Sequence, residues 1–393
     1  MSERAQEERL WTGPFVLCFA TNLCQGTAFN LFLHLPGYLH DLGANDVQIG
    51  WISSLTALAA VAFRPPVGRA MDVRGRRPVI QWGGALHAVA TAGYLAVDAI
   101  GPLLYAVRVL HGVAEALLFS ALFAYAADRV PAARRTEGLA LFGVSGMLPI
   151  SIGGWLGDWL LPRHGFPLLF ALATGLAAGS FLLSLAMREA PRLPVARSAS
   201  VGTRAALGQR ELGPLWMLGT VFSIVLTAFF VFVKRFVDET GIGSVGSFFG
   251  AYTGAALTLR IFFGWLPDRV GQKRVLGPAL VALTFGFAVM AGAETQRALL
   301  IAGVLCGIGH GFTFPILFAL VVSRTPESNR GSTLALFTAL FDLGVLIGGP
   351  SFGFVIERFG FAAMYGAGGI GLALGTLLFF VLDRAVAPRR RAP

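Results

Sequence analysis

Charge is scarce in this sequence. Asp, Glu, Lys and Arg make up 13% of its 393 residues, where a soluble domain carries about 25%. So few charges cannot dress a water-facing surface of this size, which excludes a string of soluble domains and puts lipid over most of the exterior. Cysteine is sparse as well, and Cys18, Cys24 and Cys306 all lie in apolar runs. No CxxC or Cys/His spacing occurs, which excludes a zinc site or a redox pair and leaves all three as small packing residues. The sequence contains no Walker-type phosphate loop, so ATP is not the expected driving force. The His residues inside apolar runs lack metal-ligand spacing. Neither a metal nor any other cofactor is expected, and no catalytic group stands out.

Apolar residues are abundant, at 55%, together with 50 glycines that follow no collagen-like period. Glycine at that level fits helices packed closely within a membrane. The formal net charge of +10 does not point to nucleic acid, because the basic residues are dispersed between apolar runs and form no stripe interleaved with aromatics. The start, MSERAQEERL, is polar and no small-residue cleavage site follows it. The first apolar run is therefore expected to remain as a span.

A hydrocarbon core about 30 Å thick needs about 20 apolar residues per helix. Runs of that length fall at 11–34, 47–67, 78–97, 102–127, 138–160 and 166–187, then at 213–233, 245–266, 275–293, 297–322, 332–355 and 361–382. The segment between the sixth and seventh runs is rich in Arg, Pro and Ser. It divides the chain into residues 1–187, a linker 188–212, and residues 213–393. Of the 31 Lys and Arg residues, 25 fall on the side of the N-terminus, Arg64 and Arg260 among them. Arg163, Lys234, Arg235, Arg297 and Arg358 fall on the other side, and Arg108 falls within a run. The positive-inside rule then makes both termini cytoplasmic, in a multi-pass protein of the cell inner (plasma) membrane.

The two halves repeat one another. Gly68, Asp72, Gly75 and Arg77 return 196 positions later as Gly264, Asp268, Gly271 and Lys273, and Arg64 maps onto Arg260. With a one-residue slip, Leu139–Phe142 matches Leu334–Phe337, and Gly153-Gly154 matches Gly348-Gly349. Parallel repeats of this kind are one of the architectures of secondary transporters.

The repeated loops read GRAMDVRGRR and GWLPDRVGQKR. Both resemble the signature G-x-x-x-D-[RK]-x-G-[RK]-[RK] of the major facilitator superfamily. The matches are Gly68, Asp72, Gly75, Arg76 and Arg77 in the first copy, and Gly264, Asp268, Arg269, Gly271 and Lys273 in the second. Val73 departs from the pattern, with Arg74 beside it. The resemblance covers the whole chain and, within the superfamily, is nearest to bacterial drug, sugar and metabolite efflux permeases of the 12-helix proton antiporter branch. It implies an all-α membrane protein of twelve transmembrane helices in two pseudo-symmetric six-helix bundles. It also implies that Asp72 meets the start of the eleventh helix near Gly331, and Asp268 the start of the fifth near Glu137. A carboxylate at a helix N-terminus is stabilised by the helix dipole, so these contacts would latch the cytoplasmic side shut. The basic residues beside them would lie near lipid phosphates.

The fourth run carries RVLHGVAEA, which resembles the R-x-x-x-G motif of proton-coupled members. Helical spacing puts Arg108, His111 and Glu115 on one face, and ionisable groups at membrane depth should face a cavity. The fifth run holds GMLPISIGG, a partial match to the superfamily's antiporter motif, with its proline one residue early. Asp342 lies mid-run in the eleventh segment where repeat register places Met147, and it reads as an unpaired carboxylate. Glu115, Asp342, His111 and Arg108 are thus the proton-coupling candidates. In this fold the first, fourth, seventh and tenth helices line the central cavity. That adds Asn22, Gln25, Asn30, Ser223, Thr227, His310 and Thr313 to Arg108 and Glu115 as candidates for substrate contact.

Together these features predict a monomeric, proton-coupled exporter of a small polar or amphiphilic organic molecule, in contact with membrane lipid and not with nucleic acid. An uptake symporter or uniporter of the same fold is one rival. A membrane-embedded enzyme is the other, and it would need catalytic groups clustered at a membrane surface.

Overall fold

The computed structural model describes residues 10–131, 134–189, 207–326 and 330–386. Among these residues there are helices and turns and no strands. Eight helices are long and apolar enough to cross a membrane. Two of them, Leu141–Leu185 and Thr333–Val386, run for 45 and 54 residues, about twice what one crossing needs. They belong to the helices Arg135–Leu185 and Arg330–Val386, which break at Gly165 (φ 70°) and Gly360 (φ 78°). Glycine takes positive φ without the steric cost other residues meet, so each break cleanly separates two spans. Two further helices, Arg76–Gly93 and Val245–Phe263, have 18 and 19 residues. Each of the twelve predicted runs therefore holds a helix.

These are α1 (Gly13–Asp41, with a 3-10 turn at Leu31–His34), α2 (Asp46–Arg74), α3 (Arg76–Gly93) and α4 (Pro102–Arg129). Helices α5 and α6 are the parts of Arg135–Leu185 before and after Gly165. The second half has α7 (Gly213–Thr240), α8 (Val245–Phe263), α9 (Gln272–Ala291) and α10 (Gln296–Ser323). Helices α11 and α12 are the parts of Arg330–Val386 before and after Gly360. Large apolar side chains stay uncovered, with Trp82 70% and Phe262 65% exposed. Patches of this kind would drive association in water and are what a lipid-facing helix requires.

Local sequence sets the helix starts. Asn45 with Gln48, and Ser244 with Ser247, form capping boxes that open α2 and α8. Each box satisfies two backbone donors that the helix cannot satisfy itself. At the opposite end of α2, Gly75 (φ 99°) turns the chain into α3, as Gly271 (φ 107°) does before α9.

The halves meet along α2 against α11 and α8 against α5. A Cβ on Gly50 would lie 2.2 Å from the carbonyl oxygen of Gly349, and one on Gly246 would lie 2.8 Å from backbone atoms of Trp155. Gly154 in turn faces the Cα of Gly246 at 3.0 Å. Backbone thus lies on backbone at both crossings, and two of the glycines involved, Gly154 and Gly349, are ones the sequence repeat matches. Both crossings lie toward the far face, opposite the start of α1 and the end of α12. Carboxylates seal that face. Glu357 Oε1 accepts from Val47 N at 2.9 Å, and Asp158 Oδ2 accepts from Gly246 N at 2.6 Å. Each acid sits at a helix N-terminus, where the dipole favours it. The buried Arg235 adds an ion pair to Asp46, 3.0 Å between Nε and Oδ1.

The signature loops, on the face of the termini, are anchored within their own halves. Glu189 accepts from the backbone of Arg76 and Arg77 at 3.0 and 2.9 Å, and the Arg76 side chain pairs with Asp128 at 3.1 Å. In the second half Asp383 pairs with Lys273 and with Arg324. The side chains of Asp72 and Glu137 and the surroundings of Gly331 lie outside the described residues, as does most of the linker, 190–206. Asp268 is exposed, and none of the ion pairs among the described residues includes it. The contacts between a carboxylate of one half and a helix N-terminus of the other that can be described are therefore on the far face.

Candidate functional site

The interior polar groups sort into three sets. The first bridges the halves. Arg64 of α2 donates from Nε to Asp342 Oδ2 of α11 at 2.5 Å, and both side chains are mostly buried, at 16% and 13% exposure. The guanidinium also lies over the ring of Phe119, 5.9 Å from its centroid, a favourable place for a cation. Glu115 of α4 accepts from Gln25 Nε2 at 2.6 Å and lies within electrostatic reach of Arg64 and Asp342. Asn22, one turn back along α1, donates to Ser145 Oγ of α5 at 2.8 Å. Four helices of one half and one of the other thus converge on a single polar cluster.

Two expectations change here. Asp342 is paired, and its partner is an arginine that the charge asymmetry had assigned to the cytoplasmic margin. Nor do Arg108 and His111 share a cavity wall with Glu115. Arg108 is 5% exposed, and it donates to Ile52 O at 3.0 Å, Ser53 O at 2.6 Å and Tyr94 Oη at 3.3 Å. It braces α4 against α2 through backbone carbonyls. His111 is fully buried, 3.3 Å from Tyr94 Oη and packed edge-on against Phe29 and Phe32. Helical spacing placed the three on one stripe, but the stripe is wide enough for its two edges to face different neighbours.

The second set packs the second half. Ser223 donates to Phe341 O at 2.5 Å and Thr227 to Ser223 O at 3.1 Å. Glycines 344 and 348 of α11 sit directly against these two residues, so both serve the α7–α11 contact. Thr313 is buried with its hydroxyl unpartnered. In the first half, Asn30 of α1 bonds back to Gly26 O of its own helix at 2.8 Å.

The third set lies on α8 and α10. His310 meets Tyr252 Oη through Nδ1, and its ring contacts Phe222 and Phe314. Arg260, the repeat mate of Arg64, donates from Nε to Gly311 O at 3.3 Å. Among the described residues no group of three His, Cys, Asp or Glu side chains is placed to hold a metal.

Comparison with known proteins agrees with this fold. An uncharacterised MFS-type transporter of Pseudomonas aeruginosa (strain UCBPP-PA14) is 27% identical over 378 residues, covering 91% of this chain and 89% of the relative. The MFS-type transporter YhhS of Escherichia coli (strain K12) is 24% identical over 361 residues, covering 89% and 87%. In fold, the nucleoside transporter NupG superposes with a TM-score of 0.75 at 15% identity, over 96% of this chain and 100% of that one. The human organic anion transporter MFSD10 gives 0.72 at 18% identity, over 93% and 98%. These relatives are transporters, not enzymes. The family model described as Major Facilitator Superfamily matches twice, over residues 15–248 and 215–393. With two matches meeting near the middle of a chain whose halves repeat, this multi-pass membrane protein belongs to the major facilitator superfamily.

Proposed function

We propose that this chain is a secondary active transporter that works by alternating access and exports a small polar or amphiphilic organic molecule in exchange for protons. The observation that carries this reading is the pair Arg64–Asp342, which ties the halves together with Glu115 close by. One guanidinium balances one carboxylate. The second carboxylate, Glu115, has no ion pair of its own among the described residues, so the cluster suits alternate protonation. A proton on Asp342 weakens the tie between α2 and α11, and its loss restores the tie. Gln25 holds Glu115 in place while it changes charge.

Export is supported by the partial antiporter motif on α5. There Pro149 packs on Gly26 and Gly153 on the backbone of Asn30, so the same residues also set how α5 rides on α1. The basic asymmetry supports a cytoplasmic location for both termini, which makes the sealed far face external. A reporter fused after Pro393, or inserted near Arg197, is expected to behave as cytoplasmic, and one near Asn45 as external. An external signal at Arg197 contradicts this orientation.

Thermal shift on purified protein across a compound panel identifies binders, since ligands of the folded state stabilise it. In proteoliposomes an imposed pH gradient is then expected to drive accumulation of such a binder on one side. Accumulation that ignores the pH gradient, or needs ATP, contradicts the proposal.

A further inference from the structure

Arg260 occupies the repeat position of Arg64 but has no counter-ion among the described residues. Arg64 has Asp342 on the helix it faces across the halves. Arg260 faces α5, where the residue matching Asp342 is Met147. On α5, a Cβ added at Gly143 would meet Arg260 Nη1 at 3.6 Å. Among the described residues no carboxylate lies within ion-pair distance of this guanidinium, and its one hydrogen bond is from Nε to Gly311 O.

That bond has a sequence cause. Pro315 in α10 has no N–H, so the carbonyl four residues earlier, that of Gly311, loses its helical donor. Arg260 Nε takes the vacancy, which orients the guanidinium and leaves its Nη atoms uncommitted. The side chain remains partly exposed. An unbalanced charge at membrane depth is costly, so a site built to keep one is built to receive an opposite charge. The neighbouring surface is aromatic. His310 contacts Phe314, with centroids 6.3 Å apart, and Phe314 contacts Phe341 at 5.5 Å.

We infer that Arg260 is the anchor for the acidic group of an organic anion whose apolar, ring-bearing body lies along Phe314 and Phe341. This rests on the transport reading and names its substrate class. A guanidinium with two free Nη atoms suits a carboxylate, whereas a cation would be repelled and a neutral amide would leave the charge unmet.

The test compares 1-naphthoate with 1-naphthamide, equal in shape and different in charge, as ligands of the purified full-length protein by thermal shift and calorimetry. Naphthoate is expected to bind and naphthamide to bind at least about tenfold more weakly. In Arg260→Gln, naphthoate affinity should fall about ten- to hundredfold, the range for a hydrogen-bonded charge contact. Gly143→Asp leaves Arg260 untouched but places a carboxylate beside it, as Asp342 stands beside Arg64, and should weaken naphthoate binding to the same degree. This second variant keeps the inference falsifiable if Arg260→Gln does not fold. Wild-type protein that binds neither compound, or binds both equally, overturns the inference, as does undiminished naphthoate binding in either variant. The transport reading fails separately, when wild-type protein binds naphthoate but liposomes carrying it move no bound compound under any gradient.

Discussion

Gly50→Val is expected to hold the protein out of the conformation described here. Its side chain would have to enter space where a Cβ already lies 2.2 Å from Gly349 O, 2.4 Å from Gly349 C and 2.9 Å from Pro350 N. These are backbone atoms of another helix and cannot rotate away. Overpacking usually costs about 1–3 kcal/mol, equivalent to about a 5- to 150-fold change in a two-state population, and a backbone clash belongs at the upper end. The far face should then stay open. In a background with Cys18, Cys24 and Cys306 replaced, Ser54→Cys reports on this. Ser54 is fully buried at the crossing, so an impermeant thiol reagent added from the far side should label it at least about tenfold faster once Gly50→Val is introduced. Equal labelling would mean that this crossing does not seal that face.

Arg64→Gln is expected to be costlier than a surface change of the same kind. It leaves Asp342, 13% exposed, without its cation and with Glu115 close by. Removing one partner of a buried ion pair costs about 3–5 kcal/mol, and the residual exposure of both side chains places this pair near 3 kcal/mol. The double variant Arg64→Gln/Asp342→Asn removes both charges and should recover most of the loss. Unfolding in graded detergent denaturant, read as a double-mutant cycle, separates the two outcomes. Additive losses would show that the two side chains are not coupled and that the halves are tied elsewhere.

The spans were legible because each run is long enough to cross a membrane, and several are bounded by a capping box or a glycine with positive φ, as at Asn45, Gly165, Ser244 and Gly360. Two glycines of the crossings, Gly154 and Gly349, were legible through the repeat. The far-face carboxylates were not. Val47 and Gly246 are 199 residues apart, as are Asp158 and Glu357, whereas the signature loops repeat at 196. The shift of about one helical turn arises because α2 is capped at Asn45 and α8 only at Ser244. A fixed-offset comparison passes over such pairs. Arg64 was hidden for another reason: an arginine near the end of an apolar run is normally topogenic, and its partner lies 278 residues away in sequence. Its one signal was the match to Arg260. For Arg108 the sequence indicated burial at membrane depth but not which side of α4 the guanidinium would take.

Proton coupling through Glu115 and Asp342 is the centre of this account, and transport against a gradient by their neutral variants tests it most directly. Proteoliposomes containing wild type, Glu115→Gln or Asp342→Asn are loaded with a compound the protein binds and given an imposed pH gradient. Wild type should accumulate the compound. At least one neutral variant should lose accumulation while still exchanging the compound down its own gradient. If both variants still accumulate it on the pH gradient alone, neither carboxylate carries the coupling proton and the account is contradicted.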